Sequence, residues 1–209
     1  MSLPLRPVSR AFFSRPVLTV AHDLLGCLLV HEPSQGRTVG MIVEAEAYGE
    51  DDPGSHASRG RTERNAPMFE QPGHAYVYVS YGIHHCLNAV TDRTGTPGAV
   101  LIRAAEPVAG LDVMRARRGP VPDRDLARGP GRLTQAFGID RALNRADLTV
   151  PPLTICMGER LPAESVLQTE RIGLGGADDR RPWRFAVRGS RWVSRTPPLP
   201  GTATGSRRS

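Results

Sequence analysis

The segment MIVEAEAY (41–48) places two carboxylates and an aromatic ring in strict alternation. Side chains of a strand alternate between its faces. As a strand, it puts Ile42, Glu44, Glu46 and Tyr48 on one face and Val43, Ala45 and Ala47 on the other. The small apolar face is expected to pack on the core. On the opposite face the carboxylates sit about 6.5–7 Å apart. Like charges so placed repel, and in a dry site one carboxyl pKa is pushed up. A solvated strand face explains the same pattern. Arg103, in GAVLIRAAEP (98–107), narrows the choice, because it is a charge inside an apolar run. A buried charge without a partner is very costly, so Arg103 needs Glu46 or Glu44. The pair is either a structural ion pair or a device that holds a carboxylate ionised and oriented to polarise water.

Aromatic and basic side chains form two further groups. In HAYVYVSYGIHHCLN (74–88), Tyr76 and Tyr78 share a strand face and Tyr81 lies at a turn. An aromatic at a solvated tip has nothing to pack on unless a partner supplies the surface. Such a side chain can wedge between base pairs; ordinary strand aromatics are the plainer reading. The loop GSHASRGRTERNAPMF (54–69) carries Arg59, Arg61 and Arg64, which suit phosphates as well as they suit solvent. Arg132, further along, joins these phosphate candidates. His56 in the same loop can stack or donate a hydrogen bond. His84, His85 and Cys86 suggest metal ligands, but adjacent strand residues point to opposite faces. No metal centre is expected.

These residues must be positioned by a chain of 209 residues, enough for one domain with a sizeable core. With 22 glycines and 19 prolines, turns and loops should be plentiful. The formal charge is +6, and all 27 basic residues are arginine, with no lysine. Arginine suits bidentate phosphate contacts and stacking, although a GC-rich genome yields the same bias. Three scattered cysteines give neither a disulfide framework nor a zinc finger. No apolar run approaches the roughly 20 residues of a membrane span, and the N-terminus lacks a signal-peptide pattern. A soluble, cytoplasmic, monomeric protein is expected. The pattern predicts a helix from about 16 to 25 leading into a strand to 30, then a strand over 38–48 and a loop over 49–72 with at most one helical turn. A hairpin of 74–81 and 83–91 turns about Gly82, and a strand follows over 98–104. Helices follow over 110–118 and from Pro130 to a stop at Gly138. Short strands are expected over 153–156, 170–174 and 184–193. The result is an α+β chain: a single mixed domain with a curved, mainly antiparallel sheet and short flanking helices. Residues 1–14 read as an extended lead-in, 15–194 as the domain and 195–209 as a disordered tail.

Six segments in order carry a resemblance: VEAEAY (43–48), MFxxPGxxYVY (68–78), YGIHHCLN (81–88), VLIRAAEP (100–107), GPGRLTQAFGI (129–139) and FAVRGSRWVS (185–194). From about Arg15 to Ser194 the chain resembles the alkyladenine (3-methyladenine, methylpurine) DNA glycosylases, in a bacterial-type form without a long N-terminal extension. The resemblance implies a curved antiparallel sheet with a protruding hairpin, no metal and no organic cofactor. It makes Glu46 the general base that activates water, and Arg103 the residue that helps hold water and glutamate. Tyr48, His56 and Tyr78 become the slot for a flipped base, and Asn88 the residue that rejects the amino group of normal guanine. Tyr81 becomes the minor-groove wedge. The implied partner is double-stranded DNA carrying damaged purines, and the implied place is the nucleoid. Substrates would include 3-methyladenine and 7-methylguanine, and extend to hypoxanthine or ethenoadenine. His85 stands where the family commonly has an aromatic residue, and the loop between Asn88 and Arg103 is longer than in mammalian members.

The chemistry fits those residue types. Purines alkylated at N3 or N7 are cationic, stack well on electron-rich rings and leave readily. Flipping costs a few kcal/mol, less at damaged pairs, and a carboxylate beside C1′ stabilises an oxocarbenium-like sugar. Strand-nicking glycosylases usually employ an amine that forms a Schiff base. Without lysine, and with a terminal amine on the lead-in a poor substitute, an intact abasic product is expected. Two rival readings are a non-catalytic DNA-binding module and a sugar hydrolase with Glu44 and Glu46 as its carboxylate pair.

Overall fold

Every residue from Ile42 to Ala47 is buried, so the strand that holds the two glutamates is covered on both faces. In the computed structural model, which describes residues 5–174 and 180–194, this strand is β2 (Thr38–Tyr48) at the middle of a curled antiparallel sheet. The other strands of the sheet are β1 (Leu28–His31), β3 (Ala75–Ser80), β4 (His84–Val90), β5 (Ala99–Ala109), β6 (Leu153–Cys156), β7 (Val166–Thr169) and β8 (Arg184–Val187). The order is β3-β4-β5-β2-β1-β6; β8 pairs with Glu44–Glu46 of β2, and β7 pairs with β8. Four short α-helices accompany it: α1 (Arg10–Phe13), α2 (Val17–Asp23), α3 (Leu111–Arg118) and α4 (Pro130–Phe137). Among the described residues, no helix is long and apolar enough to cross a membrane.

Local sequence explains the best-defined elements. Pro130 opens α4, where its missing N–H costs nothing. Gly138 closes the helix at φ +68°, and the Ile139 amide donates to Thr134 O at 2.8 Å. That left-handed cap is cheap only for glycine. Between these ends, Leu133, Ala136 and Phe137 enter the main core, and the Thr134 hydroxyl donates to His85 O at 2.9 Å. The helix therefore braces the base of the β3–β4 hairpin. At the tip, Tyr81 (φ +50°) and Gly82 (φ +73°) turn the chain, and the Ile83 amide donates to Ser80 O at 3.2 Å.

Simple alternation fails in β2. The register runs Ile42↔Ala105, Glu44↔Ala104, Ala45↔Ile102, so Val43 on β2 and Arg103 on β5 are both left over at adjacent bulges. An extra residue in one strand moves everything beyond it to the other face. Ile42 consequently joins Ala45 and Ala47 in the main core instead of sharing the glutamates' face. Val43 packs on the far side with Ala104, Ala186, Trp192 and Val193. Neither glutamate is solvated: both have no exposed surface.

Other expectations shift by a few residues. The lead-in is not wholly extended, because α1 forms within it and buries Phe13, and the Val8 amide donates to Ile155 O at 3.0 Å. The strand expected over 170–174 lies instead at Val166–Thr169, since the next residues turn inward and spend their polar groups on the site. The last strand ends at Val187; Gly189 (φ +73°) then turns the chain so that Trp192 and Val193 are buried. β5 runs on to Ala109, past the expected end. The loop 49–72 holds a single 3-10 turn at Ala66–Phe69. The tail expected from 195 lies outside the described residues.

Candidate active site

The double bulge aims Arg103 along the glutamates. Its Nε donates to Glu44 Oε1 at 3.0 Å and its Nη1 to Glu46 Oε2 at 3.0 Å. Burial by itself would lower the Arg103 pKa, but Glu46 and Glu44 outweigh it and hold the guanidinium above its ordinary value. Glu46 Oε2 also accepts the Tyr48 hydroxyl at 2.8 Å, and Oε1 accepts the Ile172 amide at 2.8 Å. Burial, then the charge and hydrogen bond of Glu46, push the Tyr48 hydroxyl pKa up. Tyr48 therefore remains a donor to the carboxylate.

Glu44 is enclosed differently. Besides Arg103, it accepts Arg184 Nε at 2.8 Å, the Ser194 amide at 2.6 Å and the Ser194 hydroxyl at 2.8 Å. Burial would raise its pKa; Arg103 and Arg184, with those hydrogen bonds, reverse the sign and lower it. A carboxylate so occupied cannot serve as the second acid of a sugar hydrolase.

Tyr48, Arg103 and Ile172 also line a cavity of about 500 Å³, so Glu46 stands directly behind its wall without itself lining it. The remaining wall includes His56, Tyr78 and Asn88. The rings of His56 and Tyr78 meet edge-on at 4.5 Å between centroids. His56 Nδ1 lies 2.9 Å from the Tyr76 hydroxyl, and Asn65 pins the loop by donating to His56 O at 2.8 Å. Burial, then the charge of Arg64, lowers the His56 pKa, so the imidazole is neutral at pH 7. Burial pushes Tyr76 up to about 12 and Tyr78 higher still. Asn88 is buried and its Nδ2 donates to Tyr76 O at 3.0 Å, which fixes its pose at the wall.

The structure thus brings Glu46, Arg103, Tyr48, His56, Tyr78 and Asn88 to one cavity. Tyr81 lines its mouth and is 86% exposed. Arg59 and Arg61 are exposed on the adjoining loop. Arg64 differs from them: it lines the cavity, donates to Val79 O at 3.3 Å and sits 5.7 Å from the Tyr78 ring. Arg132 is exposed and lies 3.4 Å from Asp125. His84 is exposed against α4, where a Cβ on Gly131 would come within 2.8 Å of its ring.

Several site residues escaped the sequence reading. Ile83, 74% exposed, stands beside Tyr81 at the tip. Arg171 is buried, bonded through both Nη atoms to Asp52, and donates to Ala47 O at 2.8 Å. Its guanidinium lies 4.5 Å from the Tyr48 ring centre. Because Asp52 also accepts the Gly54 amide at 2.9 Å, this pair joins β2, the start of the 49–72 loop and the 171–174 segment. The only available signal was a lone arginine ahead of Ile172 and Gly173, which 27 arginines dilute.

A buried, arginine-held carboxylate thus stands behind an aromatic-walled cavity, next to a hairpin with a bare tyrosine tip. The model of the methylpurine-DNA glycosylase family matches residues 11–191, and the chain belongs to this family. A curated protein of Methanoculleus marisnigri, named "Putative 3-methyladenine DNA glycosylase", is 51% identical over 188 residues, covering 88% of this chain and 97% of its own. Proteins of the same name are 48% identical over 187 residues in Carboxydothermus hydrogenoformans (89% and 97% covered) and 45% over 205 in Salinibacter ruber (93% and 99%).

Proposed function

We propose that this chain is a monofunctional glycosylase of base excision repair that removes alkylated purines, 3-methyladenine and 7-methylguanine among them, from double-stranded DNA. The observation that carries this reading is Glu46: a fully buried carboxylate, held by Arg103, Tyr48 and the Ile172 amide, immediately behind the cavity wall. A flipped base enters between Tyr48 and the His56–Tyr78 pair, and its C1′ meets the Glu46 side of the pocket. Glu46 takes a proton from water as the water oxygen bonds to C1′. The C1′–N bond breaks with its electron pair passing to the base, and an abasic sugar remains. A cationic base starts closer to that endpoint, so the barrier left to the protein is mainly the oxocarbenium-like sugar. Neutral His56 adds no repulsion to such a base. Asn88, fixed at the wall by Tyr76 O, is the group that meets the edge of a purine and excludes the amino group of guanine.

Tyr81 fills the space left in the duplex, with Ile83 beside it. The chain has no lysine to attack the abasic sugar, so it leaves the strand uncut. Its place is with the chromosome, acting as a monomer on duplex DNA, and the residues described supply this chemistry without an organic cofactor.

Glu46→Gln tests the reading. The amide keeps the size of the side chain and cannot take a proton. Release of 3-methyladenine from alkylated duplex should fall by about 100-fold or more, while affinity for duplex carrying the lesion is retained. Wild-type release by this variant would remove Glu46 from the chemistry. Release abolished together with binding would instead favour a structural role.

A further inference from the structure

Glu44 is the more heavily bonded of the two glutamates and, like Glu46, has no exposed surface. We propose that Glu44 is a positioning residue for excision: it fixes the guanidinium of Arg103, which in turn fixes Glu46, and Arg184 and Ser194 form the clamp that fixes Glu44. The proposal rests on the reading of Glu46 given above and adds a group that does not touch substrate.

The geometry is a chain of single options. A guanidinium is planar and rigid, with donors in a fixed fork. Once Arg103 Nε is tied to Glu44 Oε1, the plane of the group is set, and Nη1 has only the Glu46 direction left. The backbone cannot perform this task. Arg103 is left over at the β2–β5 bulge, where the ladder does not hold it in register. Glu44 must then be held itself. It pairs within its strand register to Ala104 and Ala186, and its carboxylate receives four donors from three other elements. Arg103 comes from β5 and Arg184 from β8, whose Nη1 also donates to Thr169 Oγ1 of β7 at 3.0 Å. Ser194 comes from the strap after β8, anchored by buried Trp192 and Val193.

Charge leads the same way. Glu44, Glu46, Arg103 and Arg184 are all buried, and they bring two carboxyl groups and two guanidiniums into contact. Deleting the charge of Glu44 weakens the tie of Arg103 to its second partner. Arg103 is then no longer held at the angle the reaction uses, and small misplacements at a reacting centre cost up to about 100-fold in rate.

The experiment is single-turnover excision of 7-methylguanine from duplex DNA with enzyme in excess, alongside the Kd for duplex holding an uncleavable lesion analogue. Glu44→Gln keeps the size and removes the charge, and with its oxygen in the Oε1 place it loses the bond from the Ser194 amide. Its rate constant should fall between about 10- and 100-fold, with Kd little changed. Equal losses in both, or a wild-type rate, would overturn the proposal. If Glu44→Gln does not melt cooperatively, Ser194 decides. Ser194→Ala removes only the hydroxyl bond and keeps the amide. It should slow excision several-fold at unchanged Kd, and Ser194→Thr should restore it. A wild-type rate in Ser194→Ala would overturn the clamp. An active Glu46→Gln sinks the proposed function itself, whereas an inactive Glu46→Gln beside a fully active Glu44→Gln sinks only this proposal.

Discussion

Burying a guanidinium costs several kcal/mol unless its charge is matched and its donors are used, and three of them are buried around this cavity. Arg103 shares Glu44 and Glu46, Arg184 shares Glu44, and Arg171 has Asp52. The Asp52–Arg171 side chains have no exposed surface at all. Asp52→Asn leaves Arg171 facing a neutral amide in that setting, and breaking such a pair costs about 3–5 kcal/mol. Urea unfolding should show that loss as a lower midpoint at constant slope; a midpoint near wild type would mean that the Arg171 charge is met elsewhere. The same pair carries the Gly54 turn and the guanidinium over Tyr48, so the cavity should loosen along with the fold. Arg103 was legible in the sequence because a single charge inside VLIRAA must be buried and must be paired. Arg171 was not, since Thr169 and Glu170 precede it (TERIG) and it reads as a surface group. Arg184 sits among apolar neighbours (PWRFA) as Arg103 does, but nothing local names its partner. Burial of an arginine is a property of what folds over it, and neither Asp52 for Arg171 nor Glu44 for Arg184 is near in sequence. Arg64, in the loop that suggested phosphate, is exposed and also lines the cavity.

At the scale of elements, the hairpin and the double bulge decide how the site is presented. The β3–β4 hairpin was legible from alternation around Gly82, and α4 from Pro130 and Gly138, because these residues act through their own backbone. The bulge was not legible. A period-two pattern counts faces and cannot register an extra residue, so Ile42 was placed with the glutamates it turns away from. The hairpin also carries a visible strain. Tyr81 sits at φ +50°, a left-handed conformation that costs a side-chain-bearing residue roughly 1–2 kcal/mol. Its ring gains nothing in return from the free protein, being 86% exposed. Tyr81→Gly relieves that strain, offset in part by the greater freedom of glycine in the unfolded chain. We expect a thermal midpoint equal to or above wild type together with a weaker flipping equilibrium, followed with a fluorescent base analogue in duplex DNA. A lower midpoint would show that the tip packs; undiminished flipping would show that the wedge is another residue, with Ile83 the next to test.

At the scale of the whole molecule, two groups of arginines among the described residues adjoin the cavity. On one side, the 54–65 loop presents exposed Arg59 and Arg61. On another, Arg124, Arg128 and Arg132 converge on the single carboxylate of Asp125 at 3.4–3.5 Å, next to the α4 start whose Pro130 lines the same cavity. Three guanidiniums to one acid leave an excess of positive charge at that rim, as the open loop does at its own. A duplex entered by the Tyr81 tip would lay its phosphates across both. Each phosphate neutralised releases condensed counterions, so log K falls with log salt by about 0.9 per contact. Arg59→Ala and Arg61→Ala should each make that slope shallower by about 1, and weaken binding to damaged and undamaged duplex alike. Because neither residue lines the cavity, excision at saturating enzyme should stay at the wild-type rate. Arg64→Ala should behave in the opposite sense: little change in slope, and a slower single-turnover rate, because its guanidinium lines the cavity beside the Tyr78 ring. A slope that moves with Arg64 and not with Arg59 or Arg61 would exchange the two roles, placing the phosphate path through the cavity mouth and leaving the outer loop to solvent.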